Sequence, residues 1–364
     1  MTAAVDARSA QRGADAPLRV EALVSGRLAP SSRFRVLQHV EPLRALGVDV
    51  SARPPRISKY ASVPGRLRRR KWVAPLASGA LQAGKLAVRL PGVARSWTAQ
   101  VTWLEREVLP GHLTVEPLLH RPVVLDVDDA IWLLSPGHER AVRAVAGRSA
   151  CVVAGNDFLA DWFSATAPEV ERVWTAVDTD RFAPGGARSG PFVVGWTGTG
   201  ASLRYLRRAA AALTRFLAEA PDARVRVMAD MSDGLPGLPP DRVDFVPWSP
   251  AAEATVLQGF DVGLMPLPSG DWARGKCAFK MLQYMACGVP SVVSPVGMNA
   301  QVLAMAEVGM GASTDDEWVE ALLTLYRDRD RAGALGQAGR ALVEQSFSVT
   351  AIAPQLAQVM RRYR

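Results

Sequence analysis

Residues 274–299 read RGKCAFKMLQYMACGVPSVVSPVGMN. The chain holds 43 lysines and arginines together, and only five of them are lysine. Two of those five, Lys276 and Lys280, stand here four residues apart. Upstream, FDVGLMPL (260–267) has the length and apolar content of a buried strand, and PSGDWARG (268–275) reads as a loop. KCAFKMLQYMAC (276–287) has helical periodicity, GVP ends it, and SVVSPVG (291–297) is the next strand. This spacing predicts both lysines on one face at the start of a helix. Cations oppose the dipole at that end of a helix, so a bound phosphate is the partner that would justify them.

The same alternation extends in both directions. FVVGW (192–196) is a strand, TGTGAS (197–202) a loop, and LRYLRRAAAALTRFLAEAP (203–221) a helix, followed by strands ARVRVMA (223–229) and RVDFVPW (242–248). In the N-terminal half, LRVEALVSG (18–26), VDVSARP (48–54), AQVTWLE (99–105), RPVVLDV (121–127) and SACVVAG (149–155) read as strands. RVLQHVEPLRALG (35–47) closes a helix on Gly47, VAPLASGALQAGKLAVRL (73–90) is a second, and Asn156 caps a third. Strands alternating with helices imply an α/β chain of two Rossmann-like, doubly wound domains facing across a cleft. The expected boundaries are a disordered tail over 1–17, an N-terminal domain over 18–183 and a C-terminal domain over 184–346. A final helix, 347–364, can pack back on the N-terminal domain. The Pro- and Gly-rich segment 178–191 is the expected linker.

Composition narrows the function. Of 364 residues, 49% are hydrophobic and 21% charged, which suits a globular protein. Three cysteines without framework spacing argue for a reducing compartment and against disulfides or a zinc site. The N-terminus lacks an apolar leader, and no window approaches a membrane span, so a cytoplasmic location is expected. The net charge of +8 is uneven: no acidic residue occurs from Val50 to Leu104, and GRLRRRKW (65–72) is the basic peak. Segment 51–72 suits peripheral contact with an anionic membrane at its inner face, or a phosphorylated substrate. Without a recognition module or an interleaved aromatic platform, nucleic acid is not an expected partner.

Parallel sheets bind ligands at the carboxyl ends of their strands. Thr197, Gly198, Thr199 and Gly200 therefore offer a Gly-rich approach for an anion such as a diphosphate, although their spacing does not match the dinucleotide fingerprint. A tight β–α turn explains the same residues. VVLDVDDAIWL (123–133) puts Asp126, Asp128 and Asp129 at a strand end, where three carboxylates call for cations or a hydroxyl-bearing substrate. Asp129 equally fits a turn role. Arg33, in the loop LAPSSRFR (28–35), is a candidate for binding a diphosphate or a charged acceptor, and Ser31 and Ser32 read as caps. Trp248 is placed either to stack on a nucleotide base or to pack in the core.

GWTGTGASLRYL (195–206) followed by DVGLMPLPSGDWARGKCAFKMLQYMACGVPSVVSPVGMN (261–299) resembles the C-terminal half of a GT-B glycosyltransferase of the family 4 type. The resemblance implies transfer of a sugar from a nucleoside diphosphate to an acceptor hydroxyl or amine, with retention and without a metal. The acceptor would be a natural product or a lipid-linked, cell-envelope glycan. Lys276, Lys280 and Arg33 would take the diphosphate, and Asp126 and Asp128 would serve the acceptor or the anomeric centre. The family's paired glutamates, with seven residues between them ahead of the Met-Ala-x-Gly-x-Pro turn, align with Gly275 and Gln283. Both carboxylates are missing here. Gln283 would hold the donor ribose through its amide, and Asp271 or the Gly275 backbone would meet the donor sugar. A sugar-nucleotide epimerase of similar build and an inactive nucleotide- or glycan-binding relative are the alternatives.

Overall fold

The computed structural model describes residues 16–68, 72–186, 190–231 and 237–364. Most of the expected tail, and residues 69–71 of the basic run, lie outside the described residues. The chain forms two compact units, one of residues 1–174 with 352–364 and one of 175–351. The division falls at Trp174 rather than inside the Pro- and Gly-rich segment 178–191. The reason is local. Val177 pairs with Ser348 as an isolated bridge, and Arg340 donates to the carbonyls of Thr179 and Phe182, so this stretch is stitched to the second unit.

The first unit is built on a parallel sheet of β1 (Leu18–Leu23), β2 (Val48–Ala52), β3 (Val101–Glu105), β4 (Val123–Val127), β5 (Cys151–Ala154) and β6 (Val170–Arg172), ordered β2-β1-β3-β4-β5-β6. The second sheet comprises β7 (Val193–Thr197), β8 (Arg224–Ala229), β9 (Val243–Pro247), β10 (Val262–Met265), β11 (Ser291–Val293) and β12 (Gly309–Gly311), ordered β12-β11-β10-β7-β8-β9. Every pairing is parallel, and the central strands are buried on both faces, as apolar runs of this kind require. The strand β12 carries the weak signal GMG, which has no alternation to read; it forms because Val292 and Val293 offer it an edge.

One core of the second unit joins Phe192, Trp196, Phe216, Leu264 and Trp318, all buried. Burying side chains of this size contributes about 1.5–3 kcal/mol each. Helix Asp157–Ser164 in the first unit starts where expected, with the Asn156 side chain accepting from the Leu159 amide at 2.9 Å. Helix Asp315–Arg327 is opened by a capping box between Thr314 and Glu317. Gly47, with φ +76°, ends the helical run that precedes β2.

Histidine 39 sits in this helical run, fully buried, with Nδ1 lacking a hydrogen-bond partner. Burial, reinforced by the nearby Arg35 charge, lowers its pKa to about 3. Because the folded value lies below the unfolded one, the unfolded chain gains a proton first as pH falls. Stability is therefore retained above about pH 6.5 and lost below it. Wild type is expected to lose ~2 kcal/mol from this residue between neutral pH and about pH 5. In His39→Phe, the unfolding free energies measured by denaturant at the two pH values should converge by that amount.

Candidate functional site

The chain leaves β7 towards β8 on one side and returns to β10 on the other, so the carboxyl ends of β7 and β10 flank the switch point of the second sheet. Gly195 and Gly263 are paired in register across these two strands. A Cβ at Gly195 would stand 2.0 Å from the Phe260 ring, and one at Gly263 2.3 Å from the Tyr284 ring. Both rings lie directly on the sheet because these positions have no side chain. The Thr197 amide donates to Tyr284 Oη at 3.1 Å, and that hydroxyl donates to the Leu264 carbonyl at 3.2 Å. Burial raises the Tyr284 pKa well above its ordinary value, which keeps the donating proton in place. The phenol thus ties β7 to β10 just below the switch point.

Helix Phe279–Ala286 enters this edge from the loop after β10. It starts later than its periodicity suggested. Ala278 takes a left-handed conformation, φ +52°, which leaves Cys277 and Lys276 outside the helix. The lysines are therefore not stacked on one helical face. Lys280, second in the helix, has its ammonium 5.8 Å from the centroid of the Trp196 ring. Lys276 places its own 4.5 Å from the centroid of Trp272. Both cations stand over indole faces, a favourable contact for an ammonium group. Gly198 makes room for Lys280: a Cβ there would be 2.5 Å from Trp196 Cη2 and 3.1 Å from Lys280 Cε. The Trp272 indole N–H is buried and has no hydrogen-bond partner, which leaves a donor at the site that sequence reading missed.

The Gly-rich loop works differently from expectation. The Gly198 amide donates to the Met228 carbonyl at 3.0 Å, and the Gly200 amide to Asp230 Oδ1 at 2.5 Å. Both groups offered for a diphosphate are spent inside the protein. Asp230, at the end of β8, is the residue responsible, and nothing in the local spacing marked it. Thr197 is buried at the end of β7, while Thr199 is exposed and shares a hydroxyl contact of 3.0 Å with Ser202. Trp248 follows β9, half-buried, with its amide on the Ala229 carbonyl at 2.9 Å.

Three further expected residues belong to the same unit. Asp271 opens the short helix Asp271–Arg274, is exposed, and pairs with Arg274 at 3.2 Å. The Gly275 amide donates to the Asp271 carbonyl at 2.9 Å. Gln283 is buried on helix Phe279–Ala286 and donates through Nε2 to Glu253 Oε1 at 3.2 Å. Glu253 in turn accepts from Arg181 at 3.0 Å.

The remaining expected residues lie in the first unit. Asp126 is fully buried and takes a two-pronged contact from Arg35, at 2.7 and 3.2 Å. Arg35 also donates to the Val173 carbonyl at 2.9 Å, so the pair joins β4 to the chain after β6. That placement corrects the expectation of Asp126 as a substrate-facing group: it belongs to the sheet interior, and burial holds its carboxyl above the usual range. Asp128 and Asp129 both receive Arg106, at 2.5 and 2.7 Å. Arg106 adopts φ +57°, a strained conformation that turns its guanidinium onto the pair. The acidic cluster thus has a cation from its own sheet. Arg33 is nearly buried, with its guanidinium 4.5 Å from the Phe34 ring centroid. Among the described residues no cluster of metal-ligating side chains occurs, and no helix is long and apolar enough to cross a membrane.

Residues 192–328 match the family model for group 1 glycosyl transferases. No curated protein matches the chain. Among solved structures, HepE from Anabaena in complex with UDP-glucose is similar at 15% identity, covering 94% of this chain and 99% of that one, with a TM-score of 0.68. Sucrose-phosphate synthase from Thermosynechococcus elongatus is also 15% identical, covering 95% and 98%, with a TM-score of 0.66. The trehalose 6-phosphate synthase of Burkholderia multivorans is 13% identical over 95% and 98%, with a TM-score of 0.62. At these identities the likeness shows the fold, the two-sheet GT-B architecture. The domain match marks the chain as an enzyme of the glycosyltransferase class. Gly198→Ala is expected to push Lys280 off its position and to cut kcat/KM for sugar transfer about a hundredfold. It should also cost ~1–3 kcal/mol of stability through the Trp196 contact, read by chemical denaturation.

Proposed function

We propose that the chain moves a sugar from a nucleoside diphosphate sugar to an acceptor hydroxyl or amine, as a retaining enzyme of the family 4 type. The observation that carries this reading is the Lys280 ammonium beside Trp196 and Gly198, at the switch point of the second sheet. An approaching diphosphate there meets an ammonium group that stands over an aromatic face. The UDP-glucose in the HepE structure is consistent with a nucleotide sugar as the donor class.

In the proposed reaction the acceptor oxygen or nitrogen bonds to the anomeric carbon as the bond from that carbon to the β-phosphate oxygen breaks. The electron pair leaves with the diphosphate, and the acceptor's proton passes to it. Lys280 and Lys276 stabilise the negative charge that grows on the leaving group. Gln283 meets the donor ribose, Trp248 the base, and the Asp271–Gly275 loop the sugar. Arg33 and Asp128 act on the acceptor side of this scheme. No metal is assigned a role in it.

The acceptor in this reading is lipid-linked, and the first unit makes peripheral contact with an anionic membrane. Support comes from helix Val73–Ala87, where Trp72 just before it is 91% exposed and Leu76 is 77% exposed. Arg53, Arg56 and Arg66 are exposed in the acid-free segment ahead of them. Three other cations of that segment serve the interior: Lys59 binds the Glu107 carbonyl, Arg89 the Val24 carbonyl, and Lys85 is buried. Aromatic and aliphatic side chains flanked by arginine suit the boundary of an anionic bilayer.

Nucleotide release from a panel of UDP-, GDP-, ADP- and TDP-sugars tests the activity. One donor should be turned over, and Lys280→Ala should lower that turnover at least about a hundredfold with its unfolding midpoint unchanged. Near-normal turnover by the variant removes the lysine from the mechanism. In liposome flotation, wild type should rise with vesicles containing anionic lipid and stay down with neutral ones. Trp72→Ser/Leu76→Ser should stay down with both.

A further inference from the structure

Gln283 stands where the resemblance implies a carboxylate, and the structure shows what faces it. Glu253 begins the helix Glu253–Gln258 after β9, and its side chain is buried. Its Oε1 accepts from Gln283 Nε2 at 3.2 Å and its Oε2 from Arg181 at 3.0 Å. The same Arg181 nitrogen donates to the Pro250 carbonyl at 2.6 Å, fixing the turn that leads into the helix. Arginine, carboxylate and amide thus form a chain across the second unit.

A carboxylate can only accept hydrogen bonds, whereas a primary amide donates from nitrogen and accepts at oxygen. Glu253 therefore decides which way round the Gln283 amide sits. Nitrogen must face Glu253, because the flipped amide would bring two acceptors together in a buried place. The carbonyl oxygen is left pointing the other way, as an acceptor. Gln283 lies one turn along the helix from Lys280, so both side chains share one face.

We propose that Glu253 acts as a positioning residue for the donor site. Held by Arg181, it polarises and orients Gln283 so that the amide oxygen accepts a hydrogen bond from a ribose hydroxyl of the nucleotide. The inference rests on the reading of the second unit as the nucleotide-sugar site. It makes Glu253 and Gln283 a matched pair, since a glutamate at 283 would put two carboxylates about 3 Å apart. Exchanging the two residue types keeps one acid and one amide.

Calorimetric binding of UDP and of 2′,3′-dideoxy-UDP provides the test, with GDP, ADP and TDP and their dideoxy forms run if UDP does not bind. Wild type should prefer the ribonucleotide at least about tenfold, because a ribose hydroxyl meets a preset acceptor. Gln283→Met should bind the two forms within about threefold, and Glu253→Gln should lose most of the preference through its free amide partner. Gln283→Glu should bind the ribonucleotide about a hundredfold more weakly than wild type, and Glu253→Gln/Gln283→Glu should recover to within about fivefold. Should Gln283→Glu fail to fold, the dideoxy comparison in Glu253→Gln still decides. Equal affinity of wild type for both forms, or a preference undiminished in Glu253→Gln, overturns the inference. A double variant that folds and binds no better than Gln283→Glu overturns it too. Failure of all four nucleotides to bind overturns instead the donor-site reading beneath it.

Discussion

The second unit depends on what is absent at three glycines. Gly195 and Gly263 let two aromatic rings lie flat on neighbouring strands, and Gly198 lets a lysine pass over the indole of Trp196. A methyl group at any of the three would meet a ring atom within 2.5 Å. The sheet edge, the tyrosine that bridges β7 to β10 and the position of Lys280 are consequences of that one steric allowance. The glycines matter here for closeness of packing more than for unusual dihedral angles.

The two units hold charge near their sheets with different kinds of contact. In the first unit the acids are answered by arginines of the same unit: Asp126 by Arg35, and Asp128 and Asp129 by Arg106. Glu105 accepts from the Ser25 and Ser32 hydroxyls at 2.9 and 2.7 Å, which pins the loop after β1. Breaking such a buried pair by removing one partner costs about 3–5 kcal/mol, so these residues hold the scaffold in register. In the second unit the lysines stand over indole rings, and Glu253 accepts from Arg181 and Gln283.

Much of this was legible from residue patterns because it rests on local rules. Alternating apolar runs and helical periods mark the strands of both sheets, and Asn156 and Gly47 mark helix ends by their own chemistry. What escaped was set by contacts distant in sequence. Ala278 is left-handed and the helix begins only at Phe279, so Lys276 lies outside it and Lys280 within it despite their spacing. Asp230 claims the Gly200 amide from 30 residues away, and Glu253 claims Gln283 from the same separation. Three acids at a strand end point Asp126 towards a substrate; Arg35, 91 residues earlier, turns it into core. Periodicity carries no information about which distant partner a polar group will find.

The central claim is that Lys280, held over Trp196 beside Gly198, receives the diphosphate of an activated sugar. A crystal structure with whichever of UDP, GDP, ADP or TDP binds most tightly examines it directly. The expected result is a β-phosphate oxygen about 2.8 Å from Lys280 Nζ, the distance of a charge-assisted hydrogen bond. A nucleotide whose phosphates lie at another edge of the sheet, with Lys280 still resting on Trp196 and touching no phosphate, contradicts it.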